Sequence, residues 1–140
     1  MKRTAEAHWQ GNLKEGKGTL TTQSGILDKT EYGFKTRFEE GQKGTNPEEL
    51  LAASHAGCFT MSVASILDKK GIIADSLDTD ASLTLEGLSI TGIHLSITGS
   101  ANGINADEFA DAVKEAEQNC IVSRALKVPI TSEAHLSIHK

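Results

Sequence analysis

Apolar and polar residues alternate from Thr4 to Gln10, with Ala5, Ala7 and Trp9 on one side and Thr4, Glu6, His8 and Gln10 on the other. A period of two predicts a half-buried strand. Gly11-Asn12 interrupts it, and the Thr-rich run from Gly18 to Thr22 predicts a second strand. The pattern from Tyr32 to Phe38 predicts a third, with Tyr32, Phe34 and Phe38 on one face and Lys35 and Arg37 on the other. Glu39 to Thr45, with Gly41 and Gly44, is a polar loop.

A long helix follows. Asn46 is an N-cap, Pro47 suits the first helical position, and Glu49 at the third completes a box-like cap. The helix is predicted to run to about Lys70 and to end at Gly71, a left-handed C-cap. Between Leu50 and Leu67 nearly every position carries Leu, Ala, Val, Ile, Phe or Met, interrupted by Ser, Thr and His55. A helix apolar all round is a buried one. A short chain has little with which to cover every side, so the pattern predicts an oligomer whose subunits share these helices.

Leu77, Thr79, Ala81, Leu83 and Leu85 alternate with acidic and hydroxyl residues, and Ile93, Leu95 and Ile97 with His94, Ser96 and Thr98. The short Gly87–Ser89 link predicts an antiparallel pair. Asn105 caps a second helix, Ala106 to about Gln118, with Asp107 and Glu108 at its positive end. Cys120 lies just beyond it, before a helical turn from Ser123 to Lys127; Pro129 ends the turn, and Ala134, Leu136 and Ile138 form a closing strand. The order β-β-β-α-β-β-α-β is α+β with mostly antiparallel pairing.

The 140 residues, 38% apolar and 24% charged, suit one globular domain, 1–140, that needs no disulfide or metal staple. A net charge of −5 offers no basic footprint for nucleic acid or an anionic membrane. No apolar run is read as approaching the ~20 residues of a membrane span, and the opening MKRTAEAHWQ lacks a signal-peptide core. The expectation is a soluble cytoplasmic protein.

The candidate chemistry narrows quickly. His135 and His139 share a strand face but stand about 13 Å apart, too far to grip one ion. His55 and Cys58 are one helical turn apart, and two ligands make no metal site. The phosphate-loop, dinucleotide and serine-elbow motifs are missing. Two cysteines remain, Cys58 and Cys120, too few for a disulfide scaffold. A thiol reacts as thiolate and needs a lowered pKa. Cys58, mid-helix among apolar neighbours, has its pKa raised by burial, so a separate cation must serve it. His55 is nearest in sequence; Arg37, permanently charged and forked, is the more capable.

The stretch TNPEELLAASHAGCF (Thr45–Phe59), with Asn119-Cys120 and Ser123-Arg124-Ala125-Leu126 downstream, resembles the OsmC/Ohr family of hydroperoxide-reducing proteins, and its wording is nearer the OsmC (osmotically inducible protein C) branch. The resemblance spans essentially the whole chain. It implies a cysteine-based, peroxiredoxin-like peroxidase that reduces organic hydroperoxides, and hydrogen peroxide more weakly, to alcohols in oxidative and osmotic stress defence. Cys58 aligns with the peroxidatic cysteine, Cys120 with the resolving cysteine that closes a disulfide on it, Arg37 with the active-site arginine, and Glu48 with the glutamate that pairs with that arginine. No cofactor is implied; the reductant is a dithiol, of lipoyl type in the Ohr branch. The implied fold is an intertwined homodimer with antiparallel sheets wrapped around long central helices.

Helix geometry adds an expectation about that dimer. Ten residues on one unbroken helix separate Glu48 from Cys58 by about 15 Å along the axis and about 80° around it. Glu48 and Arg37 of one subunit are therefore expected beside Cys58 of the other, in two composite sites at the interface. The competing readings are a non-catalytic thiol redox sensor or small-molecule-binding protein on the same fold, and a cysteine hydrolase built on His55 and Cys58. Glu49 is read as a cap and His55 as a packing or hydrogen-bonding residue. Phe59 and Met61 are candidates for a substrate channel.

Overall fold

The computed structural model describes residues 1–137. The expected strand position of Ile138, and His139, lie outside the described residues. The chain forms two compact units, the first Met1–Leu50 and the second starting at Leu51.

The first unit holds a three-stranded antiparallel sheet of β1 (Ala5–Gln10), β2 (Lys17–Thr22) and β3 (Thr30–Tyr32), in that order. Gly18 of β2 pairs with Trp9 on one side and Tyr32 on the other. The two rings meet edge-on above it, centroids 5.7 Å apart. A Cβ on Gly18 would sit 2.5 Å from the Tyr32 ring and 2.6 Å from the Trp9 ring, so only glycine fits. The expected half-burial of β1 is not found: every residue but Trp9 is exposed, because among the described residues nothing covers Ala5 or Ala7.

The third predicted strand is corrected more substantially. Strand β3 stops at Tyr32, and residues Phe34–Phe38 form a short helix, α1. Phe34 and Phe38 fit either period, since they alternate in a strand and sit one turn apart in a helix. The Thr36 hydroxyl decides between them: it accepts the Gly33 N–H at 2.7 Å and donates to the Gly33 carbonyl at 2.9 Å, closing the turn. Arg37 therefore stands on a helix, beside the Phe38 ring, and not on a strand face.

Helix α2 (Pro47–Lys69) starts as expected, with Asn46 Oδ1 accepting the Glu49 N–H at 2.7 Å. Asn46 Nδ2 donates to the Thr36 carbonyl at 2.8 Å, which joins the end of α1 to the start of α2. Glu49 does not reach back to close a box; its carboxylate accepts the Thr45 hydroxyl instead. At the other end Gly71 takes φ +75°. The Gly71 and Ile72 amides bond to the carbonyls of Asp68 and Leu67, a Schellman stop.

In the second unit, β4 (Ala74–Glu86) and β5 (Ser89–Ala101) pair antiparallel as predicted. Strand β6 (Ile130–Ser137) lies on the other side of β5 and runs parallel to it, so this sheet is mixed. The connection from β5 to β6 carries α3 (Ala106–Asn119) and α4 (Ile121–Ala125), a crossover long enough to bring the chain back in the same direction. Asn105 and Glu108 form a full capping box on α3. Ile93, Leu95 and Ile97 of β5, Phe109, Ala112, Val113 and Ala116 of α3, and Phe59, Val63 and Leu67 of α2 make the core.

Helix α2 is not buried all round in this chain. His55, Phe59, Val63 and Leu67, each four residues on, form one buried stripe, while Ala53, Ser54, Gly57, Met61, Ala64 and Ser65 are exposed. By length and composition alone α2 could cross a membrane, contrary to the sequence expectation. Its buried stripe and its caps instead tie it into the fold. Phe59 belongs to the core and Met61 is 75% exposed, so the two face different surroundings.

Replacing Gly18 with Ala forces two aromatic rings apart. The change is expected to lower stability by about 1–3 kcal/mol in urea unfolding followed by fluorescence of Trp9, the single tryptophan.

Candidate functional site

The four residues singled out from sequence fall into two pairs, one in each unit. In the first, the Arg37 Nε donates to Glu48 Oε1. Their meeting follows from the Asn46–Thr36 bond, which seats the end of α1 against the first turn of α2. Glu48 is 8% exposed, and the Arg37 side chain is nearly half-exposed. The bond engages Nε and not the two terminal nitrogens of the fork, the part of a guanidinium that grips a second anion.

In the second unit, Cys58 on α2 and Cys120 between α3 and α4 are free thiols held side by side. Cys120 is 1% exposed and Cys58 half-buried. Cys120 serves as C-cap of α3 and N-cap of α4, so its sulfur sits where the chain turns to start α4. The Val122 amide consequently acts on both sulfurs, the Ile121 amide on Cys58 and the Ser123 amide on Cys120. Burial raises the Cys58 pKa, the Cys120 thiol raises it further, and the Val122 and Ile121 amides only partly offset them. Burial also pushes Cys120 up, but the Ser123 amide, the Cys58 thiol, the Ser123 hydroxyl and the Val122 amide outweigh it, so its pKa is lowered. A pair of adjacent sulfurs, one buried and one half-buried, holds one negative charge more readily than two.

His55 does not bond Cys58, one turn away. Its Nε2 meets the Ser123 hydroxyl at 2.7 Å, and its Nδ1 is buried without a partner. The ring is 0% exposed, and burial lowers its pKa below the ordinary 6.5. Sequence reasoning assigned no role to Ser123. The available signal was its position one turn after Cys120, combined with a lone histidine in an otherwise apolar helix. Among the described residues no three His, Cys, Asp or Glu side chains gather to hold a metal ion. His94 and His135 both approach Glu133 on an exposed sheet face, at 3.2 and 3.5 Å, as a surface polar cluster.

A family model described as OsmC-like protein matches residues 40–134. The chain belongs to the OsmC family. It is 44% identical over 135 residues to peroxiredoxin OsmC of Escherichia coli, covering 94% of each chain. It is 29% identical over 113 residues to the organic hydroperoxide resistance protein OhrB of Bacillus subtilis, covering 79% of this chain and 82% of that one. An OsmC-like protein of unknown function from Vibrio cholerae superposes with a TM-score of 0.75 at 16% identity, over 96% of this chain and 99% of that one. The OhrB structure superposes with a TM-score of 0.65 at 23% identity, over 96% and 98%. The structural likeness establishes an OsmC-like α+β fold. The matched segment of this OsmC-family chain includes Glu48, His55, Cys58, Cys120 and Ser123 and begins three residues after Arg37.

The buried imidazole makes stability pH-dependent in a definite direction. The folded-state pKa of His55 lies below its unfolded value, so the unfolded chain takes up the proton first. Its contribution is fully present above about pH 6.5 and is lost as pH falls from there toward the folded pKa. Urea midpoints at about pH 7.5 and about pH 5.5 are expected to fall further for the native sequence than for His55→Leu.

Proposed function

We propose that this protein is a thiol peroxidase that reduces organic hydroperoxides to alcohols. The observation that carries the reading is the juxtaposition of Cys58 and Cys120 in the second unit, with the Val122 amide acting on both sulfurs. Homology supports it, since relatives are named peroxiredoxin OsmC and organic hydroperoxide resistance protein.

In the first step the Cys58 thiolate attacks the hydroperoxide. Its S–O bond forms as the O–O bond breaks, leaving a sulfenic acid and an alkoxide that takes a proton to become the alcohol. In the second, Cys120 thiolate attacks the sulfenic sulfur, a disulfide forms, and hydroxide departs and is protonated to water. A dithiol, of the lipoyl class, then exchanges with the disulfide and restores both thiols. The raised pKa of Cys58 means that the first step needs a cation. Arg37, held by Glu48, supplies a charge that cannot be lost by deprotonation and also stabilises the departing alkoxide. Apolar surroundings favour an organic hydroperoxide over hydrogen peroxide. Two cysteines, too few for a disulfide scaffold, fit a cytoplasmic location.

The working form is a homodimer of one-domain chains, residues 1–140, with long helices at its centre. Supporting this are the uncovered face of α2 and the strongly exposed Met61 and Ile73 near it. Each Cys58 is then served by Arg37 and Glu48 of the other subunit, because an unbroken helix sets Glu48 about 15 Å along its axis from the cysteine of its own chain. A sensor would be oxidised once and stay so; the matched set of two thiols and an Arg–Glu pair favours turnover.

Mixing two inactive variants tests the composite site. Arg37→Met and Cys58→Ser should each reduce cumene hydroperoxide turnover with dithiothreitol at least about a hundredfold. Unfolded and refolded together, they should recover up to about a quarter of native activity, because half the dimers are mixed and each mixed dimer has one intact site. Sites confined to one chain would recover none.

A further inference from the structure

Histidine is a costly residue on the buried stripe of α2, where Phe59, Val63 and Leu67 are its neighbours. A buried imidazole must have its polar atoms bonded or lose stability. His55 satisfies one nitrogen, at Ser123, and leaves Nδ1 buried and unpartnered. A leucine would fill the same stripe without that loss, so packing does not account for the ring. Its one polar contact leads to the thiol pair: Ser123 is itself buried, and its hydroxyl stands beside Cys120 and favours its thiolate.

We propose that His55 and Ser123 are a positioning pair for Cys120, in which the His55 Nε2–H bond turns the Ser123 hydroxyl so that its proton points at the Cys120 sulfur when that sulfur attacks the Cys58 sulfenic acid. Donor and acceptor roles follow from the geometry. If the Ser123 O–H donates to sulfur, Oγ must accept from the imidazole, so the ring proton sits on Nε2 and Nδ1 is a bare lone pair. An orphaned acceptor is the more tolerable of the two orphans, which fits the unpartnered Nδ1. Burial keeps the ring neutral, so it donates this bond without introducing a charge beside the thiols. Of the groups acting on the Cys120 thiol, Cys58 is the one that titrates, and His55 acts on it through Ser123.

The inference rests on reading Cys58 as the attacking and Cys120 as the resolving thiol. In the step concerned, the Cys120 thiolate sulfur is oxidised and the Cys58 sulfenic sulfur reduced. The S–S bond forms, the S–O bond breaks, and the proton that left Cys120 ends on the departing hydroxide as water.

The test uses the full-length reduced protein, native and as Ser123→Ala, His55→Leu and His55→Gln. Each is mixed with one equivalent of cumene hydroperoxide between about pH 5.5 and about pH 8.5. Samples are acid-quenched over time and weighed intact, so that a gain of about 16 Da (sulfenic acid) and a loss of about 2 Da (disulfide) are counted separately. The expected slowing is confined to the second step. In Ser123→Ala and His55→Leu the disulfide forms about tenfold more slowly, and the midpoint of its pH profile rises by about one unit, the scale of one hydrogen bond to an anionic sulfur. His55→Gln, whose amide N–H replaces Nε2–H, recovers most of the rate. A native rate and midpoint in Ser123→Ala overturns the proposal, as does His55→Gln behaving like His55→Leu. Failure of the native protein to form the sulfenic acid or the Cys58–Cys120 disulfide defeats the underlying peroxidase reading, and it appears in the native arm alone.

Discussion

Holding a half-buried thiol against a buried one sets the terms for the rest of the second unit. Apolar surroundings push both sulfurs toward the neutral form, and proximity disfavours a second charge once one is present. The fold offsets this in one place, the turn where α3 ends and α4 begins. There Cys120 caps both helices, and the amides of residues 121–123 act on the sulfurs. That turn depends in turn on α3 packing onto β6 and on the crossover that carries the chain from β5 to β6. The sheet and helices of this unit therefore fix the distance between the two thiols and the dipoles around them.

The same balance explains a division of labour. The amides and Ser123 favour charge on Cys120, whereas Cys58 keeps a raised pKa and the lysine of α2, Lys69, lies about three turns away at the end of the helix. Under the proposed function Cys58 becomes nucleophilic when Arg37 is supplied to it, and the first unit holds that arginine ready in a bond to a buried glutamate. Pre-orienting the guanidinium removes part of the entropy cost of gripping a thiolate or an alkoxide. In the proposed dimer, assembly and activation are one event: a subunit without its partner carries a protonated Cys58 and stays quiet.

Much of the fold was legible because its signals are local. Asn46 with Pro47, Gly71, and Asn105 with Glu108 mark helix ends by local hydrogen bonds, and the β4–β5 pair shows a period of two from Leu77 to Leu83 and from Ile93 to Ile97. The failures involve contacts the pattern does not encode. Residues 34–38 fit both periods, and their helix is secured partly by Asn46, ten residues from Thr36. The parallel pairing of β6 depends on how the crossover returns. Helix α2 looked buried on every side because its small residues score as apolar, yet this chain covers one stripe of it. At the site, the candidate residues Cys58, Cys120, Arg37 and Glu48 could be picked out by type, but the bond from His55 to Ser123 spans 68 positions and could only be seen in three dimensions.

The central claim is that Cys58 takes the oxygen and Cys120 removes it. The most direct measurement is peptide mapping of the non-reduced protein after one equivalent of cumene hydroperoxide, with Cys120→Ser alongside. The account predicts a Cys58–Cys120 linked peptide in the native protein and, in the variant, an oxygen adduct of about 16 Da on the Cys58 peptide. A Cys58 peptide that stays reduced while the Cys120 peptide carries the oxygen would contradict it.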